Sequence, residues 1–318
     1  MRLIEGIDAL QALDLVAAVG QGPASHSVVA VGVFDGVHLG HQRLLHELLE
    51  MNSRLPGAPT VITFRNHPDQ VLRGAAPPLL VSVPHRIRLL RRAGVQRLVL
   101  LDFEPRLQQM TARQFAQDLL VSRLRASGLL LGYDSALGKD REGTPARFVE
   151  LGGELGFEVR IGRPFEVDGE TVSSTRIRQA IGSGDLELGK RLLGRHPSTL
   201  GVVEHGFGRG RDLGFPTANL RPQTPALPPH GVYAVEVIVD GGVLPGIANL
   251  GVRPTFGDEA KAAMLEVHLL DFAGDLYGRE LEVAFVALIR AERKFANAAE
   301  LSAQIARDIA AARTRLRA

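Results

Sequence analysis

Between residues 28 and 161, short runs of β-branched and leucine-rich residues alternate with helical patterns. That alternation constrains the first half of the chain more than any other feature. The runs at 28–34, 60–64, 97–103, 129–133 and 157–161 read as buried strands. Between them, 41–51, 84–93, 111–124 and 145–155 carry apolar residues near helical spacing. Thr111 with Gln114 three residues later gives the third helix a capping-box start. Strand, helix, strand repeated in this order predicts an α/β fold, a parallel sheet with helices on both faces. Ligands of such sheets bind beyond the carboxyl ends of the strands.

The pattern changes after Ile181. Residues 185–193 predict one more helix, which Gly194-Arg195-His196-Pro197 breaks. Strand patterns follow at 201–204, 231–239, 244–247, 264–270 and 280–289, with a proline-rich loop at 221–229. Asp240-Gly241 is a hairpin turn, because both residues tolerate positive φ. Short strands at this spacing predict a small antiparallel β-barrel. A terminal helix from Asn297 closes the chain, with Glu300 at the capping-box position and Leu301, Ile305 and Ile309 on one face. Two domains are expected, 1–186 and 187–318, as suits 318 residues. At 45% hydrophobic and 23% charged residues, the chain has apolar material for two modest cores.

Several classes of protein are set aside on the same grounds. The longest apolar runs, 98–101 and 283–289, fall short of a membrane span. The first 20 residues lack the basic, apolar and small-residue regions of a secretory signal. Cysteine is absent, which removes disulfides and thiolate chemistry and fits a cytoplasmic location. The net charge is only +2 although the pI is 9.2, because few groups titrate between neutral pH and the lysines. The basic run 85–92 reads as the solvated face of a helix, so small-molecule substrates are expected rather than nucleic acid.

The first predicted strand runs into Gly32-Val33-Phe34-Asp35-Gly36-Val37-His38-Leu39-Gly40-His41, where a helix begins. A helix N-terminus presents unpaired N–H groups and positive dipole charge, a seat for phosphate. Gly36 and Gly40 let the backbone approach closely, and His38 and His41 can face the same phosphates. Attack of one phosphate on the α-phosphorus of ATP needs alignment and charge stabilisation rather than an enzyme nucleophile. Further along, Ser173-Ser174-Thr175-Arg176-Ile177-Arg178 opens a short helix with hydroxyls and arginines suited to a triphosphate. Taken alone, that segment reads equally well as an N-cap.

In the second half, Gly206-Phe207-Gly208-Arg209-Gly210-Arg211-Asp212-Leu213-Gly214 is a glycine-dense loop without the closing residues of a P-loop. Phe215-Pro216-Thr217-Ala218-Asn219-Leu220 follows, and in an extended segment Thr217 and Asn219 point the same way. Their oxygens are hard ligands suited to Mg²⁺ that also holds ATP phosphates. On the strand around 264–270, Glu266 and His268 share a face opposite Leu265, Val267 and Leu269. Glu266 can serve there as general base, although a strand glutamate is more often a solvated or salt-bridged residue.

The segment 31–41 resembles the nucleotidyltransferase signature, and in particular bacterial FAD synthetases. Ser173–Arg178 is similar to the element that completes that family's ATP site, which implies roles for Ser173, Ser174, Thr175 and Arg178. Thr63-Phe64 with His67-Pro68 resembles a further family loop, with Asn66 where proline is usual. Gly132–Gly138 keeps Asp134 but lacks the phenylalanines and arginine the family commonly has there. From 208 to the last helix, the order and spacing of motifs are similar to bacterial riboflavin kinases: Gly208-Arg209-Gly210-Arg211, Thr217 to Leu220, Ile247 to Gly251, and Glu266 to Phe272. The whole chain thus resembles the bacterial bifunctional riboflavin kinase/FAD synthetase family.

The resemblance implies a nucleotidyltransferase-like sheet domain, a kinase barrel, and ATP, Mg²⁺ and flavins as cofactor and substrates. It also implies that Gly32, Phe34, Asp35, Gly36, Gly40, His67 and Asp134 line the first site, with His38 and His41 in catalysis. Thr217 and Asn219 would hold Mg²⁺, and Glu266 would be the base. Three other readings stay open on residues alone: transfer of a different nucleotide such as CTP, a flavin-binding regulator whose first site has lost catalysis, and a kinase-only protein with a degenerate partner domain.

Overall fold

A computed structural model describes residues 1–15, 22, 25–205, 213–252 and 263–317. Their contacts divide the chain into two compact units, Met1–Pro77 with Arg86–Ser173, and Pro78–His85 with Ser174–Ala318. In the first unit lie β1 (Arg2–Glu5), β2 (Ser27–Val31), β3 (Ala58–Phe64), β4 (Arg97–Leu101), β5 (Ala126–Gly132) and β6 (Glu158–Gly162). They form one sheet in the order β1-β4-β3-β2-β5-β6, and every pairing is parallel. The longer helices of this unit are α1 (Leu39–Asn52), α2 (Val83–Arg92, in this unit from Arg86 on) and α3 (Pro145–Leu155).

Both faces of the sheet are covered. Val29, Val31, Ile62, Phe64, Val99, Leu101, Leu129 and Leu131 join Phe115, Leu119, Phe148 and Leu151 in one core. The alternate residues Val28, Ala30, Val61, Leu98, Leu100 and Leu130 are equally buried on the other side. That side meets α1, since a Cβ at Gly128 would lie 2.5 Å from Met51 Cε.

Two expected strands end early, for identifiable reasons. The first stops at Val31, because Phe34 turns into left-handed backbone with φ 52°. The third stops at Leu101, because the Phe103 N–H donates to Asn66 Oδ1 at 2.7 Å. The capping box at 111 is present: Thr111 N–H donates to Gln114 Oε1 (2.9 Å), and Gln114 N–H to Thr111 Oγ1 (3.1 Å). Only Ala112–Gln114 is α-helical there; Phe115–Val121 widens into a π-helix that buries Phe115, Ala116, Leu119 and Leu120. Sequence periodicity misses β1, in which Ile4 alone is buried.

The second unit contains α4 (Ser174–Ser183), α5 (Leu186–Leu193) and a closed barrel. Its strands are β7 (Ser198–Glu204), β8 (Ala218–Leu220), β9 (Gly231–Val239), β10 (Gly242–Val252), β11 (Ala263–Leu269) and β12 (Glu280–Arg290), paired in the order β8-β11-β10-β9-β12-β7. All pairings are antiparallel, and β7 and β8 close the ring. Asp240 (φ 49°) and Gly241 (φ 81°) make the expected hairpin between β9 and β10. Tyr233, Val235, Val237, Leu250, Leu265, Val267, Leu281, Val283 and Phe285 fill the interior.

Residues of opposite parity, Val232, Ala234 and Ile247, pack outward against Ile309 and Ala312 of the terminal helix α6 (Ala298–Arg317). Beside that contact Arg290 Nε donates to buried Asp308 Oδ2 at 2.9 Å, and Gln304 Nε2 donates to Oδ1 at 2.6 Å. Asp308→Ala strands the Arg290 charge, and urea denaturation followed by circular dichroism should show a loss of about 3 kcal/mol. A loss below about 0.5 kcal/mol would mean the pair is solvated and does not dock the helix.

Candidate active sites

The sheet order changes sense at its centre: from β2 the chain continues to β3 and β4 on one side, and later to β5 and β6 on the other. In parallel sheets the crevice at such a switch point receives ligands. Residues 32–41 follow β2, His67 follows β3, and Asp134 follows β5. All three segments therefore leave the same edge of the sheet, from adjacent strands. Asp134 is exposed there, while His67 caps a short helix by accepting from the Asp69 N–H at 3.1 Å.

The loop after β2 is strained and tightly held. Phe34 and Val37 have φ 52° and 42°, left-handed values that a β-branched residue rarely adopts, and Gly36 has φ 77°. A Cβ at Gly32 would lie 3.2 Å from the Phe34 ring. Asp35 is buried within the loop. His38 is 6% exposed and caps α1, its Nδ1 accepting from the His41 N–H at 3.3 Å. The His38 and His41 rings stack with centroids 3.6 Å apart, 18° from parallel, and the Phe34 ring stands 5.1 Å from His41. A Cβ at Gly40 would crowd His38 Nδ1 at 3.2 Å and stand in ordinary contact with the Val172 carbonyl at 3.7 Å, so the segment leading into Ser173 runs past this turn. Ser174, Thr175 and Arg178 begin α4 in the second unit, where Arg178 Nε donates to the Pro78 carbonyl at 2.7 Å.

Burial, then the neighbouring His38 and Arg86, hold His41 well below its ordinary value of 6.5. Among the described residues its buried Nδ1 has no hydrogen-bond partner. A neutral ring in the fold and a protonating one in the unfolded chain give a definite sign: the unfolded state binds more protons once pH falls below 6.5. The contribution to stability is present above that pH and is lost as pH falls through the depressed value. Denaturation at stepped pH should show this slope in the wild type and a shallower one in His41→Asn. Equal slopes would show that His41 is solvated and titrates normally.

The second constellation is set by barrel register. Asn219 of β8 pairs with Glu266 of β11, and Glu266 pairs on its other side with Asn249 of β10. Direct partners share a face, so all three point outward while Leu265 and Val267 fill the interior. Thr217 precedes on the same parity, and His268 Nδ1 donates to the Pro216 carbonyl at 2.8 Å. Thr217, Asn219, Asn249 and Glu266 line a cavity of about 480 Å³, whose far wall includes Glu292, Phe295, Leu301 and Ile305. The Asn219 amide nitrogen turns to the Thr217 carbonyl at 3.5 Å. The hydroxyl of Thr217 and the amide oxygen of Asn219 are an all-oxygen set, fit to share a hard divalent cation with phosphate and water. Gly208, Arg209, Gly210 and Arg211 lie outside the described residues.

Residues 21–176 match the FAD synthetase family and residues 193–316 the riboflavin kinase family. A bifunctional riboflavin kinase/FMN adenylyltransferase of Escherichia coli K12 is 40% identical, covering 98% of this chain and 97% of its own. One of Pseudomonas fluorescens is 40% identical over 90% of this chain and 92% of its own. The chain belongs to the bifunctional riboflavin kinase/FMN adenylyltransferase family. As a member it is an enzyme with a FAD synthetase part followed by a riboflavin kinase part. A solved macrolide-efflux protein of Streptococcus pneumoniae shares the fold at TM-score 0.83 and 30% identity, covering 98% of this chain and 99% of that one. Efflux is a description of that protein; among the described residues here no helix is long and apolar enough to cross a membrane.

In this bifunctional riboflavin kinase/FMN adenylyltransferase family member, residues 32–41, His67, Asp134 and Ser173 lie in the first unit, and Ser174, Thr175, Arg178, Thr217, Asn219 and Glu266 in the second. Sequence reading missed Arg86, which is 2% exposed and donates from Nη1 to the Val33 carbonyl at 2.6 Å and from Nη2 to the Phe64 carbonyl. It had appeared as part of a solvated basic face; burial of a single arginine in a run of them leaves no local mark. It also missed Glu292, which accepts from Asn249 Nδ2 at 3.4 Å and stands against Gly251.

Proposed function

We propose that this enzyme makes FAD in two ATP-dependent steps, with phosphorylation of riboflavin in 187–318 and adenylylation of FMN in 1–186. In the barrel, Glu266 accepts the proton of the ribityl 5′-hydroxyl as that oxygen attacks the γ-phosphorus of ATP, giving FMN and ADP. Thr217 and Asn219 would hold Mg²⁺, which neutralises phosphate charge when bound, and nucleotide-binding roles for Gly208, Arg209, Gly210 and Arg211 rest on the family resemblance. The observation that supports this step is the register that sets Glu266 between Asn219 and Asn249 at the cavity.

In the sheet domain, an FMN phosphate oxygen attacks the α-phosphorus of a second ATP, and pyrophosphate leaves. Gly32, Phe34, Asp35, Gly36 and Gly40 shape the turn around the phosphates. His38 and His41 steady the developing charge from the start of α1, where the helix dipole adds to their effect. Ser173, Ser174, Thr175 and Arg178 hold the triphosphate, and His67 and Asp134 border the flavin side.

The test is direct. The protein incubated with riboflavin, ATP and Mg²⁺ should yield FMN and then FAD, resolved by chromatography, and EDTA should stop both. CTP should not replace ATP in the second step. No FMN and no FAD from the folded protein would sink the reading, and a bound flavin without turnover would favour a regulator.

A further inference from the structure

We propose that Arg86 is a positioning residue for the adenylyl-transfer site, tying the ends of β2 and β3 so that residues 33–41 keep one shape, and presenting a fixed positive charge beside His41. The proposal rests on the reading of that site as one for adenylyl transfer, and begins from an unusual placement. A guanidinium is rarely buried unless paired, because taking it from water is costly. This one is 2% exposed on α2, and its two Nη groups reach carbonyls from two different strand ends, Val33 at 2.6 Å and Phe64.

Those carbonyls are not arbitrary. Val33 precedes left-handed Phe34, and its oxygen also accepts from Thr63 Oγ1 at 2.9 Å. Strained backbone persists only where its surroundings over-determine it. Here one acceptor takes two donors, from β3 and from α2, just before the turn that carries Asp35, His38 and His41. The fork geometry of arginine permits this bridging of separate carbonyls, and a lysine ammonium cannot reproduce it.

Arg86 is also the charged neighbour of the stacked imidazoles. Burial lowers it to about 10, against the favourable charge of Asp35, so it stays protonated at neutral pH. The groups acting on His41 are His38 from the same turn and Arg86 from α2, and both lower it. A neutral ring donates a hydrogen bond to phosphate without itself being a site of protonation during turnover. Arg86 supplies the positive charge from behind the loop, where it does not titrate.

Full-length wild type, Arg86→Met and Arg86→Lys are compared in three measurements: FAD from supplied FMN and ATP, FMN from riboflavin and ATP, and the His41 ring titration by NMR, assigned with His41→Asn. Arg86→Met should lower FAD formation on the order of 100-fold with kinase turnover unchanged, and the His41 midpoint should move up. Arg86→Lys should leave the midpoint in place, since the charge remains, yet lose at least about tenfold in FAD formation, since the bridge does not. A folded Arg86→Met with FAD formation within threefold of wild type overturns the proposal. If Arg86→Met does not fold, Arg86→Lys decides: wild-type FAD formation overturns the bridging role. A midpoint that is the same with and without charge at 86 overturns the electrostatic one. Absence of FAD formation in the wild type itself would instead overturn the adenylyl-transfer reading, and the NMR comparison would still report on Arg86.

Discussion

Glu266→Gln should abolish FMN formation, by a factor on the order of 10² to 10⁴, while FMN supplied to the same protein still becomes FAD. The substitution keeps the shape of the side chain and removes its negative charge and its ability to take a proton. Its fold should be unaffected, because the strand is anchored by Leu265 and Val267 on the opposite face, both 0% exposed. Glu266 itself is exposed toward the cavity, between Asn219 and Asn249, so no buried partner is lost with its charge. Substrate binding should change far less than turnover, since an amide still accepts a hydrogen bond. Riboflavin phosphorylation surviving within tenfold would remove Glu266 from the role of base.

His41→Ala should have the reciprocal effect. FAD formation should fall by about 10² to 10³, and riboflavin supplied to the variant should accumulate as FMN. The ring lost is the one stacked on His38 at 3.6 Å and flanked by Phe34, so its removal takes away the proposed phosphate donor at that turn. The N-cap of α1 remains, because His38 Nδ1 accepts from the backbone N–H of residue 41, which alanine retains. A variant that makes FAD at the wild-type rate, with circular dichroism unchanged, would reduce His41 to a packing residue.

Much of the fold is legible in the sequence. Strand and helix order in the first half follows from hydrophobic runs and their spacing, and the hairpin at Asp240-Gly241 from two residues that accept positive φ. The two segments proposed to handle phosphate stand out because glycine, histidine, threonine and asparagine lie at a strand-to-helix junction or at alternate positions of a strand. Other features left no such trace. β1 shows one buried residue out of its four, too few to make a period. The π-helix at Phe115–Val121 continues a helical pattern that looks regular to the eye. Arg86 sits in a run of arginines of which its own side chain goes inward, and Asn249 becomes a neighbour of Glu266 only through pairing of β10 with β11.

By itself, then, the sequence determined most of the elements, their order, and which residues have the chemistry proposed to handle phosphate. Those properties depend on local periodicity and on side-chain chemistry, which neighbours along the chain express directly. The tertiary structure decided which face each residue took, which strands became neighbours, and which charge was drawn inside. Register, burial and the field at a buried group are sums over residues far apart in the chain, and no short stretch of it contains them.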